Sequence, residues 1–151
     1  MNLSIAFQPD ILGVMKQFDG FHEQLDARIA NATEKSAGVI GTAGVANMNW
    51  QNPTGALEGS IQVVMQDAYD ALIGSDLPYA NRREFGFSGM TDSLGRFYPN
   101  DPGAFFMTNA IEDASVQQQI AAIYTEELLG AWGDFTGGMG GSPAAIVTAG
   151  G

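Results

Sequence analysis

Cysteine is absent from the chain, which removes disulfides, thiolate metal sites and cysteine nucleophiles by count. Histidine is nearly absent: His22, beside Phe21, is the only one. A Ser-His-Asp triad could be built only on it, and no Gly-x-Ser-x-Gly context accompanies any serine. Neither HExxH nor another three- or four-ligand zinc set is present, so His22 is expected to be structural or exposed. Charge is scarce, at 15% of residues against roughly 25% in ordinary soluble domains. Cations are scarcer still, with six Lys plus Arg facing seventeen Asp plus Glu for a net charge of −11. Affinity for nucleic acid comes mainly from cations on phosphates, so this balance argues against gripping DNA or RNA, and equally against an anionic membrane surface. It leaves room for DNA that passes nearby without being held. No run of about 20 apolar residues is available to cross a membrane. The opening MNLSIAFQPD lacks the positive and continuously apolar regions of a signal peptide, so export by that route is not expected. Asn31-Ala32-Thr33 matches a glycosylation acceptor and, without a secretory signal, reads as a chance match.

What is present suffices for one domain. The 151 residues are 45% hydrophobic and include nine Phe, four Tyr and two Trp, which excludes disorder of the whole chain. A chain so poor in charge has little with which to cover its surface. Either part of that surface is buried against other copies or partners, or the exterior is polar but uncharged, built from Gln, Asn, Ser and Thr.

Periodicity orders the elements. From Pro9 to Ser36, Ile11, Met15, Phe18, Phe21, Leu25, Ile29 and Ala32 step by three or four residues, the apolar face of a helix. Pro9 suits a first helical position and Asp10 a first turn. Gly13 and Gly20 weaken the helix by about 1 kcal/mol each against Ala, so it needs packing partners. Gly38 to Gly55 can continue the helix but ends as a loop at Asn52-Pro53-Thr54-Gly55. Leu57 to Gln66 alternates as a half-buried strand, with Ile61, Val63 and Met65 on one side; a turn near Asp67 and a second strand from Tyr69 to Ile73 complete a hairpin. Pro78 to Gly86 holds one short helical turn, and Phe87 to Pro99 a loop or extended β-hairpin arm. Asn100-Asp101-Pro102 reads as a helix start, with the helix running to Leu129 and Phe106, Ala110, Ala114, Ile120, Ile123 and Leu128 as core candidates. The fold class is α+β: a long N-terminal helix, a central antiparallel hairpin with an extended arm, a second long helix and a Gly-rich tail. Residues 1–129 form the single domain, and 130–151 a Gly-rich extension, flexible or ordered on assembly.

Chemistry is hard to assemble from these residues. Glu126-Glu127 and Glu112-Asp113 are adjacent on a helix, point apart, and read as solvated charges. Gly137-Gly138-Met139-Gly140-Gly141 lacks the Lys-Ser/Thr and preceding strand of a phosphate loop. No catalytic, metal or cofactor residues are assigned, and no enzyme is expected. The informative cluster is Tyr79, Arg82, Arg83, Glu84 and Phe85, followed in the arm by Arg96, Phe97 and Tyr98. Two of the six cations are adjacent here among aromatics, a composition favoured in protein–protein contacts. Such a spot could meet an acidic face on the next copy, head to tail, as in a closed ring. The plainer alternative is a local ion pair of Arg83 with Glu84 or Asp76.

Pro53-Thr54-Gly55-Ala56-Leu57-Glu58-Gly59-Ser60-Ile61 resembles the TG-x-L-x-x-SI opening of small neck or tail-completion proteins of long-tailed bacteriophages with lambda-like heads. Tyr79-Ala80 and Glu84-Phe85-Gly86 match that family's YA-x-x-x-EFG element, and Pro102, Phe105-Phe106 and Ala110-Ile111 occupy the places of its closing PF-x-x-x-A-L segment. Thr108-Asn109 stands where the family carries Arg-Pro, and the resemblance covers about residues 50 to 112. It implies a structural virion protein at the head–tail junction, assembled in the host cytoplasm. The implied state is a homo-oligomeric ring, six- or twelve-fold, between portal-side connector or head-closure proteins and the tail terminator or tail tube. DNA would pass through its lumen without specific binding. Connector, neck, tail completion and tail terminator all remain open, as does a non-viral module that binds one protein partner. A small hydrolase built on paired carboxylates is the third class.

Overall fold

Apolar residues stepping by three or four produce the expected helix, α1, which spans Ile11–Ala46. The computed structural model describes residues 11–48, 50 and 54–138. Helix α1 continues ten residues past Ser36, through Gly38, Gly41 and Gly44, taking the continuation that the sequence left open. Two of these glycines face other elements, Gly41 at ordinary contact distance and Gly44 where the neighbour crowds in. A Cβ on Gly41 would stand 3.7 Å from Ile61 and 3.8 Å from Ile73, and one on Gly44 would collide with the Met107 sulfur. Packing thus holds a helix that propensity alone would end.

After the loop comes a short helix, α2 (Ala56–Ser60), where the alternation suggests a strand. Leu57 turns inward and is the largest fully buried side chain among the described residues, which fixes this turn more strongly than strand propensity opposes it. The hairpin follows as β1 (Gln62–Met65) and β2 (Ala71–Gly74), antiparallel, with Val63 opposite Ile73 and Val64 opposite Leu72. Ile61, Val63 and Met65 are half-buried as expected, against α1, whereas Val64 and Leu72 are exposed on the other face. The Asp67 carboxylate accepts the Tyr69 N–H at 2.7 Å, and the Gln66 N–H reaches the Asp70 carbonyl at 2.9 Å to close the turn. Thr33, buried on α1, links its hydroxyl to the Ala68 carbonyl of that turn and to the Tyr124 hydroxyl, both at 2.9 Å.

The expected short helical turn is α3 (Ala80–Phe85), and the arm is a hairpin of β3 (Met90–Thr91) and β4 (Phe97–Tyr98). The second long helix departs from expectation. It begins at Phe106 rather than at Asn100, and divides at Asp113 into α4 (Phe106–Glu112) and α5 (Ala114–Gly138). Asp101 is diverted: its backbone bridges Phe87 and its carboxylate accepts the Gly103 N–H at 2.9 Å. Asp113 acts as the cap of α5 instead, accepting from the Ser115 hydroxyl, the Ser115 N–H at 2.7 Å and the Val116 N–H at 3.2 Å, which holds its carboxyl below its ordinary range. Helix α5 continues past Leu129 through Gly130, Gly133 and Gly137, so the helical part of the expected extension packs with the domain; residues 139–151 lie outside the described ones.

Two cores result. Leu57, Ala80 and Phe106 form one, with Trp50, Ile61, Leu77 and Met107 packed around it. Along α1 and α5 the buried positions are small: Ala32, Ala37, Val116 and Ala131. Phe106 and Ala110 are buried as expected and Ile120 and Ile123 half-buried, but Ala114 and Leu128 are exposed because the break at Asp113 rotates the helix face. Met15 and Phe18, expected in the core, are also mainly exposed; α5 is the only long element beside that end of α1 among the described residues.

Candidate interaction surface

Glu84 is the hinge pin of the Tyr79–Phe85 cluster. It is buried, and its carboxylate accepts the Met107 N–H at 3.0 Å, the Thr108 N–H at 2.8 Å and the Thr108 hydroxyl at 2.6 Å. The two N–H groups are free donors of the first turn of α4, so α3 is tied to the start of α4 by a borrowed helix cap. Backbone bonds reinforce the joint, from Ala104 N–H to the Arg83 carbonyl at 2.7 Å and from Phe105 N–H to the Glu84 carbonyl at 2.9 Å. The two segments come so close at Gly86 that a Cβ there would collide with the Asp101 carbonyl oxygen, and φ is +72°. Phe105 adopts φ +48°, a strained value for a bulky residue, which this joint enforces.

With Glu84 turned inward, its neighbours turn out. The Arg82 guanidinium lies over the Phe87 ring at 5.9 Å and that of Arg83 over Trp50 at 5.6 Å. The local ion pair of Arg83 with Glu84 is not what forms, since Glu84 is occupied by α4. Phe85 is 64% exposed, edge-on to Phe105 at 6.5 Å. Tyr79, at the start of α3, is exposed as well.

The arm residues are divided. Arg96 is committed to its own hairpin, 2.7 Å from Asp92, which also accepts the Leu94 and Arg96 N–H groups and, at 3.3 Å, the Tyr98 hydroxyl. That set of donors, led by the Arg96 N–H, holds the Asp92 carboxyl below its ordinary range. Phe97 is 69% exposed and faces outward. Phe87 joins the two groups, lying under Arg82 at one edge and opening the arm at the other. Of the expected set only Glu84 is buried; Tyr79, Arg82, Arg83, Phe85, Phe97 and Tyr98 are exposed, and Arg96 is exposed but paired with Asp92.

A second exposed apolar region escapes sequence reasoning. Phe18 and Phe21 of α1 meet Phe135 of α5 at 5.4 and 4.6 Å between ring centres, and Trp132 lies 5.8 Å from Phe135. Leu12, Met15, Phe18, Leu129 and Trp132 nonetheless remain exposed around this cluster. The available signal is the three-residue spacing of Leu129, Trp132 and Phe135, hidden by the glycines among them.

Glu127 corrects another expectation. It is buried rather than solvated, taking Lys35 at 2.6 Å, Asn31 at 2.6 Å and Arg28 at 3.1 Å, while Arg28 also holds Asp134 at 2.7 Å. The bonds from Lys35 and then Arg28 hold its carboxyl below the ordinary range against the opposing effect of burial. All its partners are donors, which makes it a clasp between α1 and α5. His22 is exposed, 3.3 Å from Asp26. Among the described residues no three His, Cys, Asp or Glu side chains are grouped to hold a metal, and no helix is long and apolar enough to cross a membrane. Comparison of the chain with protein-family models, curated proteins and solved structures finds no match in any of the three.

Proposed function

We propose that the chain is a structural virion subunit that forms a ring at the head–tail junction of a tailed bacteriophage, joining the portal-side connector to the tail while DNA passes through. The observation that carries this reading is the rigid aromatic and arginine surface of α3 and the arm, held outward by the buried Glu84 and the close joint at Gly86. Preformed surfaces with aromatic and arginine side chains suit protein contacts. The exposed cluster around Phe18 and Trp132 is a separate apolar region suited to the neighbouring proteins above or below such a ring.

The residues behind the family resemblance also have connected roles here. Gly55 has φ +63° before α2, Leu57 is buried, and the Ser60 hydroxyl bonds that of Ser75 at 2.6 Å across the base of the hairpin. Ala80 and Glu84 are buried, and Gly86 makes the closest backbone approach of the joint. Part of those motifs, Leu57, Ala80, Glu84 and Gly86, thus serves the core and the joint that carry the proposed surface. A net charge of −11 fits a channel that must release DNA, because negative walls repel phosphates within a Debye length of roughly 10 Å. An antibody against the purified protein, gold-labelled and applied to virions of the source lysate, tests the assignment. Label at the single vertex where head meets tail is expected. Label along the tail would move the subunit within the virion. Absence from blots of disrupted virions would overturn the virion role in favour of a one-to-one binding module using the same surface.

A further inference from the structure

We propose that the Arg82–Arg83 surface of one copy docks on the β1–β2 hairpin tip of the next, pairing its guanidinium groups with Asp67 and Asp70 and stacking against Tyr69. The inference rests on the assembly reading above and names its contact.

Three observations point to a second copy as the occupant. The first is charge. Of the six cations, Arg28, Lys35 and Arg96 are spent on internal carboxylates, whereas Arg82 and Arg83 are in no ion pair among the described residues and lie on aromatic rings at the surface. Asp67 and Asp70 are exposed and likewise in no ion pair among the described residues. Adjacent cations of this kind call for an acidic partner, and the chain itself carries such a site.

The second is shape and rigidity. The tip is held in place: the Thr33 hydroxyl binds the Ala68 carbonyl, the Tyr69 N–H binds Asp67, and the Tyr69 hydroxyl binds Asp26. Tyr69 is nevertheless 64% exposed, leaving a ring face for an arginine to cover. Both partners are preformed, so little ordering entropy is lost on contact.

The third is topology. β1 leads up to the tip, β2 returns from it, and after residues 75–79 α3 packs at the hairpin base, where Ala80 and Leu57 share a core with Ile61 and Leu77. Tip and α3 therefore lie at opposite ends of a hairpin whose four-residue strands rise roughly 13 Å. One copy cannot close this contact on itself. Repeated between copies it is head-to-tail, the geometry that generates rings.

The full chain, free of cysteine, lends itself to a test. Arg82→Cys combined with Asp70→Cys should give, with a short bismaleimide cross-linker, a ladder of covalent multimers, whereas each single variant stops at a dimer or below. Charge reversal provides the independent arm. Arg82→Asp with Arg83→Asp, and separately Asp70→Arg, which leaves the Asp67 turn bond in place, should each weaken self-association about tenfold in sedimentation, read at a temperature where circular dichroism shows wild-type helix content. Mixing the two reversed proteins should restore association, because the basic tip of one then meets the acidic α3 of the other. Wild-type association in either reversed variant, or no restoration on mixing, overturns the contact. So does a wild-type chain that stays monomeric at about 1 mM, a concentration at which even weak contacts are populated. None of these outcomes alters the virion labelling, which judges the neck assignment separately.

Discussion

Glu84 and Glu127 are both buried, but the groups that satisfy them differ. Glu84 accepts uncharged donors of the α4 start, whereas Glu127 sits between Lys35 and Arg28 with Asn31 completing its shell. Burying a carboxylate is tolerated only when its lone pairs are met, and removing one partner leaves the others stranded. Glu127→Gln would leave Lys35 and Arg28 facing a neutral amide, so it should lower the melting temperature at pH 7. The sign with pH follows from the depressed pKa. The stabilisation is complete above the unfolded carboxyl value of about 4.3 and is lost as pH falls through the lower folded value. The difference between wild type and variant should therefore be full at pH 7 and shrink in melts taken below about pH 4. A gap that persisted at about pH 2, below the usual carboxylate range, would mean that the role of Glu127 is one of shape alone.

At the scale of elements, glycines separate into those that carry packing and those that do not. Gly20 and Gly38 lie inside α1, and a Cβ added at either would meet nothing within 4 Å, so Ala there adds helix propensity without a clash. Each replacement should stabilise by about 0.5–1 kcal/mol in denaturant melts. Gly86→Ala should do the opposite, costing about 3 kcal/mol or more, since it imposes both a positive φ on a side chain and a collision with the Asp101 carbonyl. Because that joint presents Arg82, Arg83 and Phe85, the same variant should lose self-association before it loses α1–α5 helicity, checked by comparing sedimentation with circular dichroism at rising urea.

For the molecule as a whole, self-repulsion and contact pairing act over different distances. A net charge of −11 opposes the approach of two copies over the full Debye length, whereas Arg–Asp pairs act at contact. Association should therefore strengthen as salt rises from about 10 mM to about 150 mM, where long-range repulsion is screened, and weaken again toward about 1 M as the pairs themselves are screened. A purely apolar association would keep strengthening over that whole range, so sedimentation across the salt series distinguishes the two. Exposed side chains of the arm such as Phe97 and Leu94 would then contribute apolar area around a charged centre.

The sequence by itself determined the mixed helix and hairpin architecture, the strand face bearing Ile61, Val63 and Met65, the short helix at α3 and the arm, because these depend on local period and turn chemistry that act within a few residues. It also marked Arg82, Arg83 and Phe85, since adjacent cations among aromatics stand out in a chain this acidic. Tertiary structure decided the rest. Helix α1 runs on through Gly44 because Met107 fills the space a side chain there would need, and Leu57 folds into a helical turn because a core awaits it. Asp101 has the local pattern of a helix cap but is drawn into the joint with Phe87 and Gly103, leaving Glu84, distant in sequence, to supply the α4 cap. Glu127 reads as solvated because its three donors lie on another helix, 92 to 99 positions away. Local pattern reports what a segment prefers when alone; close packing and long-range charge pairing decide which preference is kept, because their energies exist only once distant segments have met.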